Sequence, residues 1–390
     1  MSARILVVDD EPDVEHLVLQ KFRKHIRENQ FEFSFAQNGI EALEKLMQDQ
    51  LIDVVLTDIN MPQMDGLTLL KKIEELNNPA MKAVIVSAYG DMENIRTAMN
   101  HGSFDFITKP IDFTDLEITI TKTLKHLELI KRGQKAHAEL ISVQRDLSIA
   151  ARIQQSILPR TFPKSDEFEI YAQMTPMKEV GGDFYDFFFI DHERLALVIA
   201  DVSGKGVPAA IMMAMSRTLL KALAQQVVNP GECLRRVNTI LAAESDPSMF
   251  LTIFYGVFNT RTGELQYSNG AHNPPCIIRA DGSGEFLECV GGTVIGMIEN
   301  LEFDVKRTLL RAGDTLFMYT DGVTEAMNSK QEIFSEARLL QHLQLSKGLP
   351  LADLVQQTSL AITTHSGSRP QLDDITLLAL RFRAASAIGS

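Results

Sequence analysis

Five short apolar runs, at residues 4–8, 31–36, 53–57, 83–87 and 105–108, alternate with helical segments over the first 112 residues. Repeated βα units of this length predict a parallel sheet with helices on both faces. In such a sheet, sites form outside the carboxyl ends of the strands. The first run ends in Asp9-Asp10, the third in Asp58 and the fourth in Ser87, while Lys109-Pro110 follows the fifth. All of these belong to one edge of the sheet.

Carboxylates gathered at one edge repel. Two charges about 4 Å apart cost about 4 kcal/mol at an effective dielectric of 20. A divalent cation among them offsets that cost. Oxygen-only ligands favour Mg²⁺, which keeps several waters and takes few carboxylates plus a phosphoryl group. Lys109 suits the neutralising of phosphoryl oxygens, and Ser87 could donate a hydrogen bond to one. Asp53 opens its strand, so its carboxylate falls at the opposite end.

The segments Val8-Asp9-Asp10, Thr57-Asp58-Ile59-Asn60-Met61-Pro62-Gln63-Met64-Asp65-Gly66, Ser87-Ala88 and Phe106-Ile107-Thr108-Lys109-Pro110 resemble the receiver domain of bacterial response regulators. The resemblance covers about the first third of the chain. It implies an α/β flavodoxin-like fold with Asp58 as phosphoacceptor. It also implies Mg²⁺ held by Asp9, Asp10, Asp58 and the Asn60 backbone, with Ser87, Phe106 and Lys109 as the switch groups. A sensor histidine kinase would be the partner.

Residues 113–160 have no proline before Pro159 and are rich in Leu, Ile, Lys, Glu, Gln and Ala. Leu140, Val143, Leu147, Ala150, Gln154 and Ile157 keep heptad a/d spacing. That spacing predicts a helix paired with another copy or packed on its own domain. From about residue 166 the pattern turns to strands, near 168–174, 183–190, 195–202, 251–259, 265–269, 276–279, 302–308, 315–319 and 375–382. Helical blocks are expected at 207–227, 230–244, 332–345 and 351–366. Strand groups flanked by helix groups predict α+β architecture, a helix-flanked β-sandwich. The expected division is a receiver at 1–125, a helical linker with coiled-coil dimerisation potential at 126–160, a second domain at 161–384 and a flexible tail at 385–390.

That second domain carries carboxylates in turn-like settings: Val180-Gly181-Gly182-Asp183-Phe184-Tyr185-Asp186, Ala200-Asp201-Val202-Ser203-Gly204-Lys205-Gly206, Tyr319-Thr320-Asp321-Gly322-Val323 and Asp373-Asp374-Ile375-Thr376. The glycines allow carbonyls and waters to approach a metal closely. No His or Cys lies at zinc spacing, so hard ions, Mg²⁺ or Mn²⁺, are indicated. Two such ions lower the pKa of a shared water and clamp an in-line attack on phosphorus.

This half resembles the PPM family of metal-dependent Ser/Thr phosphatases, in its bacterial stage-II-sporulation-E/RsbU-like branch, from about residue 145 to 382. The helix at 150–159 and the loop Asn269-Gly270-Ala271-His272-Asn273-Pro274-Pro275 share in that resemblance. It implies two Mg²⁺ or Mn²⁺ ions held by Asp183, Asp201, Asp321 and Asp373, with the Val202 carbonyl contributing. Asp186 and Asp374 stand behind these as supporting or further metal groups. The expected substrate is a phospho-Ser/Thr on an anti-sigma-factor antagonist of the STAS type, in a partner-switching pathway. The upstream Arg that eukaryotic members use to hold substrate phosphate has no match, which leaves Lys178 or Lys205 as substitutes, or a branch that does without one. The runner-up function is a non-catalytic adapter that binds such a partner under receiver control.

Gly181-Gly182-Asp183-Phe184 also invites comparison with the GGDEF signature of diguanylate cyclases. Tyr185 stands where the second acid would be, and the later motifs have no role in a cyclase. His272 beside two prolines reads as a loop residue, and Met212, Met213 and Met215 read as helix core.

The composition narrows the partners. With 38 Lys+Arg against 51 Asp+Glu the net charge is −13, and no basic block offers a nucleic-acid footprint. Cys233, Cys276 and Cys289 form no C-x-x-C pair and read as reduced thiols of a cytoplasmic protein. The opening apolar run is short and followed by acids, which reads as a strand rather than a signal peptide. No apolar run approaches the roughly 20 residues of a membrane span.

Overall fold

The computed structural model describes residues 2–88, 91–244, 246, 248–289 and 292–383. The expected tail at 385–390 lies outside them. The chain forms two compact units, Met1–Val143 and Gln144–Ser390.

The first unit runs β1 (Ala3–Val8), α1 (Pro12–Lys21), α2 (Arg23–Arg27), β2 (Phe31–Ala36), α3 (Gly39–Gln48), β3 (Val54–Asp58), α4 (Gly66–Glu75), β4 (Lys82–Ala88), α5 (Met92–Asn100), β5 (Asp105–Lys109) and then α6 (Phe113–Ile157). The sheet is parallel in the order β2-β1-β3-β4-β5. Alternate residues along β1 and β3 enter opposite cores, as a strand's period of two requires. Leu6, Val8 and Val55 pack with Leu46, Leu69 and Ile73 on one face. Ile5, Val7, Val54 and Leu56 pack with Val18 and Phe22 on the other.

The start of α6 completes that second face through Leu116, Ile120 and Leu127. Lys122 pairs with Asp105 at 2.7 Å and Lys131 with Asp53 at 2.6 Å. The expected boundary at 125 therefore falls inside a continuous helix. Residues 131–146 are exposed on every side.

The heptad register divides. Leu140 and Val143 are open to solvent, at 54% and 55% exposure, whereas Gln154 is buried within the second unit.

The second unit contains β6 (Phe168–Thr175), β7 (Phe184–Phe189), β8 (Arg194–Val202), α7 (Val207–Ala224), α8 (Pro230–Glu244), β9 (Leu251–Asn259), β10 (Glu264–Gly270), β11 (Cys276–Ile278), β12 (Gly284–Phe286), β13 (Lys306–Leu309), β14 (Thr315–Tyr319), α9 (Asp321–Thr324), α10 (Glu336–Leu345), α11 (Leu351–Ser366) and β15 (Ile375–Phe382). Two antiparallel sheets form, β13-β10-β9-β8-β7 and β12-β11-β14-β15-β6. Leu316, Met318, Leu378 and Leu380 face the core shared with the first sheet and with α7 and α8. Phe317, Tyr319, Leu377 and Ala379 face α10 and α11.

This is the helix-flanked sandwich the pattern predicts. By length and composition α7 is apolar enough to cross a membrane. Here Ala209, Met212, Met213 and Leu220 of that helix are buried in the sandwich core. Met215 is exposed, in contrast to the core reading of the methionine run.

Candidate metal centres

At the carboxyl edge of the parallel sheet, Asp9, Asp10 and Asp58 each present an oxygen within 4.8 Å of the others. Lys109 Nζ lies 2.7 Å from Asp58 Oδ2, 3.0 Å from Asp9 Oδ2 and 3.1 Å from Glu11 Oε1. Burial works to lower the Lys109 pKa, but the hydrogen bonds to Asp58 and Asp9 outweigh it and raise the ammonium above its ordinary range. Burial raises Asp9 against the lowering pull of the Glu11 N–H and Lys109.

Asp58 Oδ1 accepts from the Ile59 N–H at 2.6 Å and from the Asn60 N–H at 3.4 Å. Gly66 is required for this geometry. A Cβ there would sit 2.0 Å from the Asp58 carbonyl, because the Gly66 N–H turns back onto Ile59 O at 2.9 Å. Ser87 is one residue past Val86, the register partner of Asp58, and its buried hydroxyl has no hydrogen-bond partner among the described residues. Phe106 is 38% exposed. Asp53 lies at the far end of its strand, where it accepts from the Arg4 N–H at 3.0 Å.

In the sandwich, antiparallel pairing gathers Asp183, Asp201, Asp321 and Asp373 at one end. Phe184 pairs with Ala200, so Asp183, just before β7, adjoins Asp201 near the end of β8. Thr320 N–H donates to Thr376 O, so Asp321, just after β14, adjoins Asp373, just before β15.

Asp183 is 1% exposed, and its Oδ2 accepts from both Thr320 Oγ1 and Thr376 Oγ1 at 2.7 Å. Burial, then the Asp201 charge, push Asp183 well above the carboxylate range. Burial and Asp321 push Asp201 up to about 7, against a hydrogen bond with Asp183. Burial and Asp373 raise Asp321. Lys205 Nζ stands 2.9 Å from Asp373 Oδ2. Buried, mutually repelling carboxylates are what divalent cations stabilise. The oxygen-only donor set therefore fits Mg²⁺ or Mn²⁺.

The two supporting candidates separate. Asp374 holds the glycine loop: its Oδ2 accepts from the Gly182 N–H at 2.7 Å and its Oδ1 from the Met177 N–H at 2.7 Å. The Val202 carbonyl lies against Gly182, 2.8 Å from where a Cβ would stand. Asp186, by contrast, pairs with Arg217 of α7 at 2.8 Å. Three residues past Asp183, it projects from the opposite strand face. Asp186 thus stands on the Arg217 side of the strand, apart from the hydroxyls that hold Asp183.

The sequence did not single out Thr320, Thr376 or Gln154 as site groups. It also passed over Arg369, which with Gly322 and Asp373 lines a cavity of about 170 Å³. Hydroxyls one residue before a candidate aspartate, or three after one, and one Gln on a helix carry no spacing signal. Lys178 is exposed.

A family model for the response regulator receiver domain matches residues 5–121, and one for stage II sporulation protein E matches residues 191–383. Protein IcfG of Synechocystis is 31% identical over 264 residues, 60% of this chain and 41% of that protein. Phosphoserine phosphatase RsbU of Bacillus subtilis is 32% identical over 184 residues, 47% of this chain and 54% of that protein. The chain thus spans about half the length of these relatives. The SiaA PP2C domain of Pseudomonas aeruginosa shares the fold, with a TM-score of 0.56 and 22% identity over 63% of this chain and 99% of that one. Residues 5–121 therefore match the response regulator receiver domain, and residues 191–383 match the stage II sporulation protein E family.

Proposed function

We propose that phosphorylation of Asp58 controls a metal-dependent phosphatase that removes phosphate from Ser or Thr of a partner protein. The observation that carries this reading is the convergence of Asp183, Asp201, Asp321 and Asp373 at one end of the sandwich. Their shared burial and repulsion support divalent-cation binding.

In this reading Asp183, Asp201, Asp321, Asp373 and the Val202 carbonyl hold the ions. Two Mg²⁺ or Mn²⁺ ions would supply water activation and charge neutralisation for attack on phosphorus. Thr320 and Thr376 fix the Asp183 rotamer, and Asp374 fixes the loop before it. Lys205, paired with Asp373, and Arg369, which lines the cavity with Gly322 and Asp373, would meet substrate phosphate in the role of the upstream Arg.

In the receiver, Mg²⁺ is held by Asp9, Asp10, Asp58 and the Asn60 backbone. A phosphoryl group on Asp58 gains Lys109 as counter-charge and the Ser87 hydroxyl as donor. Phe106 then turns inward, and the change passes along α6. Phosphorylation must favour one state by about 3–5 kcal/mol to switch the output. The solvent-open Leu140 and Val143 support pairing of two α6 helices in a homodimer. The likeness to phosphoserine phosphatase RsbU supports a phosphoserine protein as substrate, and the receiver match supports a phosphodonor upstream; an anti-sigma-factor antagonist of the STAS type, a sensor histidine kinase and a cytoplasmic setting complete the reading.

The test is Mn²⁺-dependent phosphate release from a phosphoprotein by wild type, Asp201→Ala and Asp321→Ala. The proposal expects loss in both variants. An adapter would keep its output in them.

A further inference from the structure

We propose that His272 is a positioning residue for the sandwich metal centre, tying the strand beside Asp201 to the strand that delivers Asp321. The proposal rests on the phosphatase reading above and adds a residue that binds no metal itself.

The loop from Asn269 to Pro275 is built to hold this side chain. Asn269 Nδ2 donates to the His272 carbonyl at 2.9 Å, and Asn269 Oδ1 accepts from the His272 N–H at 3.0 Å. Ala271 adopts a left-handed φ of 57°, which turns the chain inward. The imidazole is buried and both ring nitrogens are engaged. Nδ1 lies 2.7 Å from Thr252 Oγ1, and Nε2 lies 3.2 Å from the Tyr319 carbonyl. A carbonyl can only accept, so Nε2 carries the proton and Nδ1 accepts from the threonine hydroxyl. Burial lowers the pKa to about 4, so the ring keeps that acceptor at neutral pH.

Both partners lie next to metal-type aspartates. Thr252 is the register partner of Asp201, so the two share one face of the first sheet. Tyr319 ends β14 in the second sheet, and Thr320, which holds Asp183, and Asp321 follow directly. β11 reaches β14 only as far as Cys276 opposite Phe317. Pro274 and Pro275 precede it and have no N–H to offer the Tyr319 carbonyl. The His272 Nε2–H takes that place. One imidazole thus cross-links the two sheets at the end where the carboxylates gather.

Groups that orient metal ligands from behind shift metal affinity by about 10–100-fold when removed. The test uses the full chain with His272→Phe, Thr252→Val and Thr252→Ser. Mn²⁺ affinity is read from the free-ion EPR signal and turnover from p-nitrophenyl phosphate. Imidazole nitrogen shifts report the tautomer in metal-free protein.

His272→Phe is expected to weaken Mn²⁺ binding about tenfold or more. Thr252→Val should weaken it less and blur the tautomer, and Thr252→Ser should restore both. The idea is overturned if His272→Phe or Thr252→Val folds and binds Mn²⁺ within twofold of wild type. Should His272→Phe not fold, Thr252→Val, which leaves the ring in place, decides alone. If wild type binds Mn²⁺ but releases no phosphate, the phosphatase reading fails while the binding data still judge His272. If wild type binds no Mn²⁺, both fail.

Discussion

Gln154, near the end of α6, exchanges two hydrogen bonds with the backbone of Gly181: its Nε2 donates to the carbonyl at 2.5 Å and its Oε1 accepts from the N–H at 3.0 Å. Gly181 stands two residues before Asp183. The helix that leaves the receiver therefore holds the loop that presents a proposed metal ligand. Gln154→Ala would leave both backbone groups buried without these partners, at a cost of about 1–3 kcal/mol each. The expected outcome is a lower Tm and a phosphatase rate that no longer responds to Asp58 phosphorylation. Rates measured with and without a phosphoryl donor check it, and an undiminished response would count against this coupling.

Removing one buried charge from the sandwich cluster relieves repulsion. Asp201→Asn should raise the Tm of metal-free protein and abolish the stabilisation that Mn²⁺ gives wild type. That stabilisation is about 2.7 kcal/mol at one hundred times Kd. Thermal unfolding with and without Mn²⁺ measures both effects. A wild-type protein indifferent to Mn²⁺ would contradict the site.

The same cluster sets a pH dependence. Folding raises Asp201 from 3.8 to about 7, so between those values the folded metal-free protein binds more protons than the unfolded chain. Stability then falls as pH rises through that window. Metal-free protein should melt at a higher temperature at pH 5 than at pH 7.5, and Asp201→Asn should flatten the difference. Saturating Mn²⁺ should reverse it, because the ions favour the ionised carboxylates.

In the receiver, the Ser87 hydroxyl is buried and, among the described residues, unpaired. Ser87→Ala should therefore leave the unphosphorylated domain as stable or up to about 1 kcal/mol more so. It should still accept phosphate at Asp58 and fail to pass the signal on. Phosphorylation assayed beside phosphatase rate separates these steps. A Ser87→Ala protein with a full response would remove Ser87 from the switch.

The receiver was legible because its motif residues end parallel strands, and strand ends in such sheets lie at one edge. The sandwich aspartates were legible through their glycine turns. Nearness in sequence hid the alternation of strand faces, which gives Asp186 to Arg217. His272 read as a loop residue because its partners, Thr252 and Tyr319, lie 20 and 47 residues away. Gln154 sat in a heptad register, and only the packed helix shows that it holds Gly181 rather than a partner helix. Short β12 and α9 left no periodic trace, and β13 begins at Lys306 rather than at 302.

The central claim joins the two domains, so the most direct measurement takes both at once. Wild type, Asp58→Asn and Asp201→Ala are assayed for Mn²⁺- or Mg²⁺-dependent release of phosphate from candidate phosphoproteins, with and without a phosphoryl donor. The account predicts metal-dependent release by wild type at a rate the donor changes. Asp58→Asn should release phosphate at a rate the donor leaves alone, and Asp201→Ala should release none. Equal rates in wild type and Asp201→Ala, or no donor effect on wild type, would contradict it.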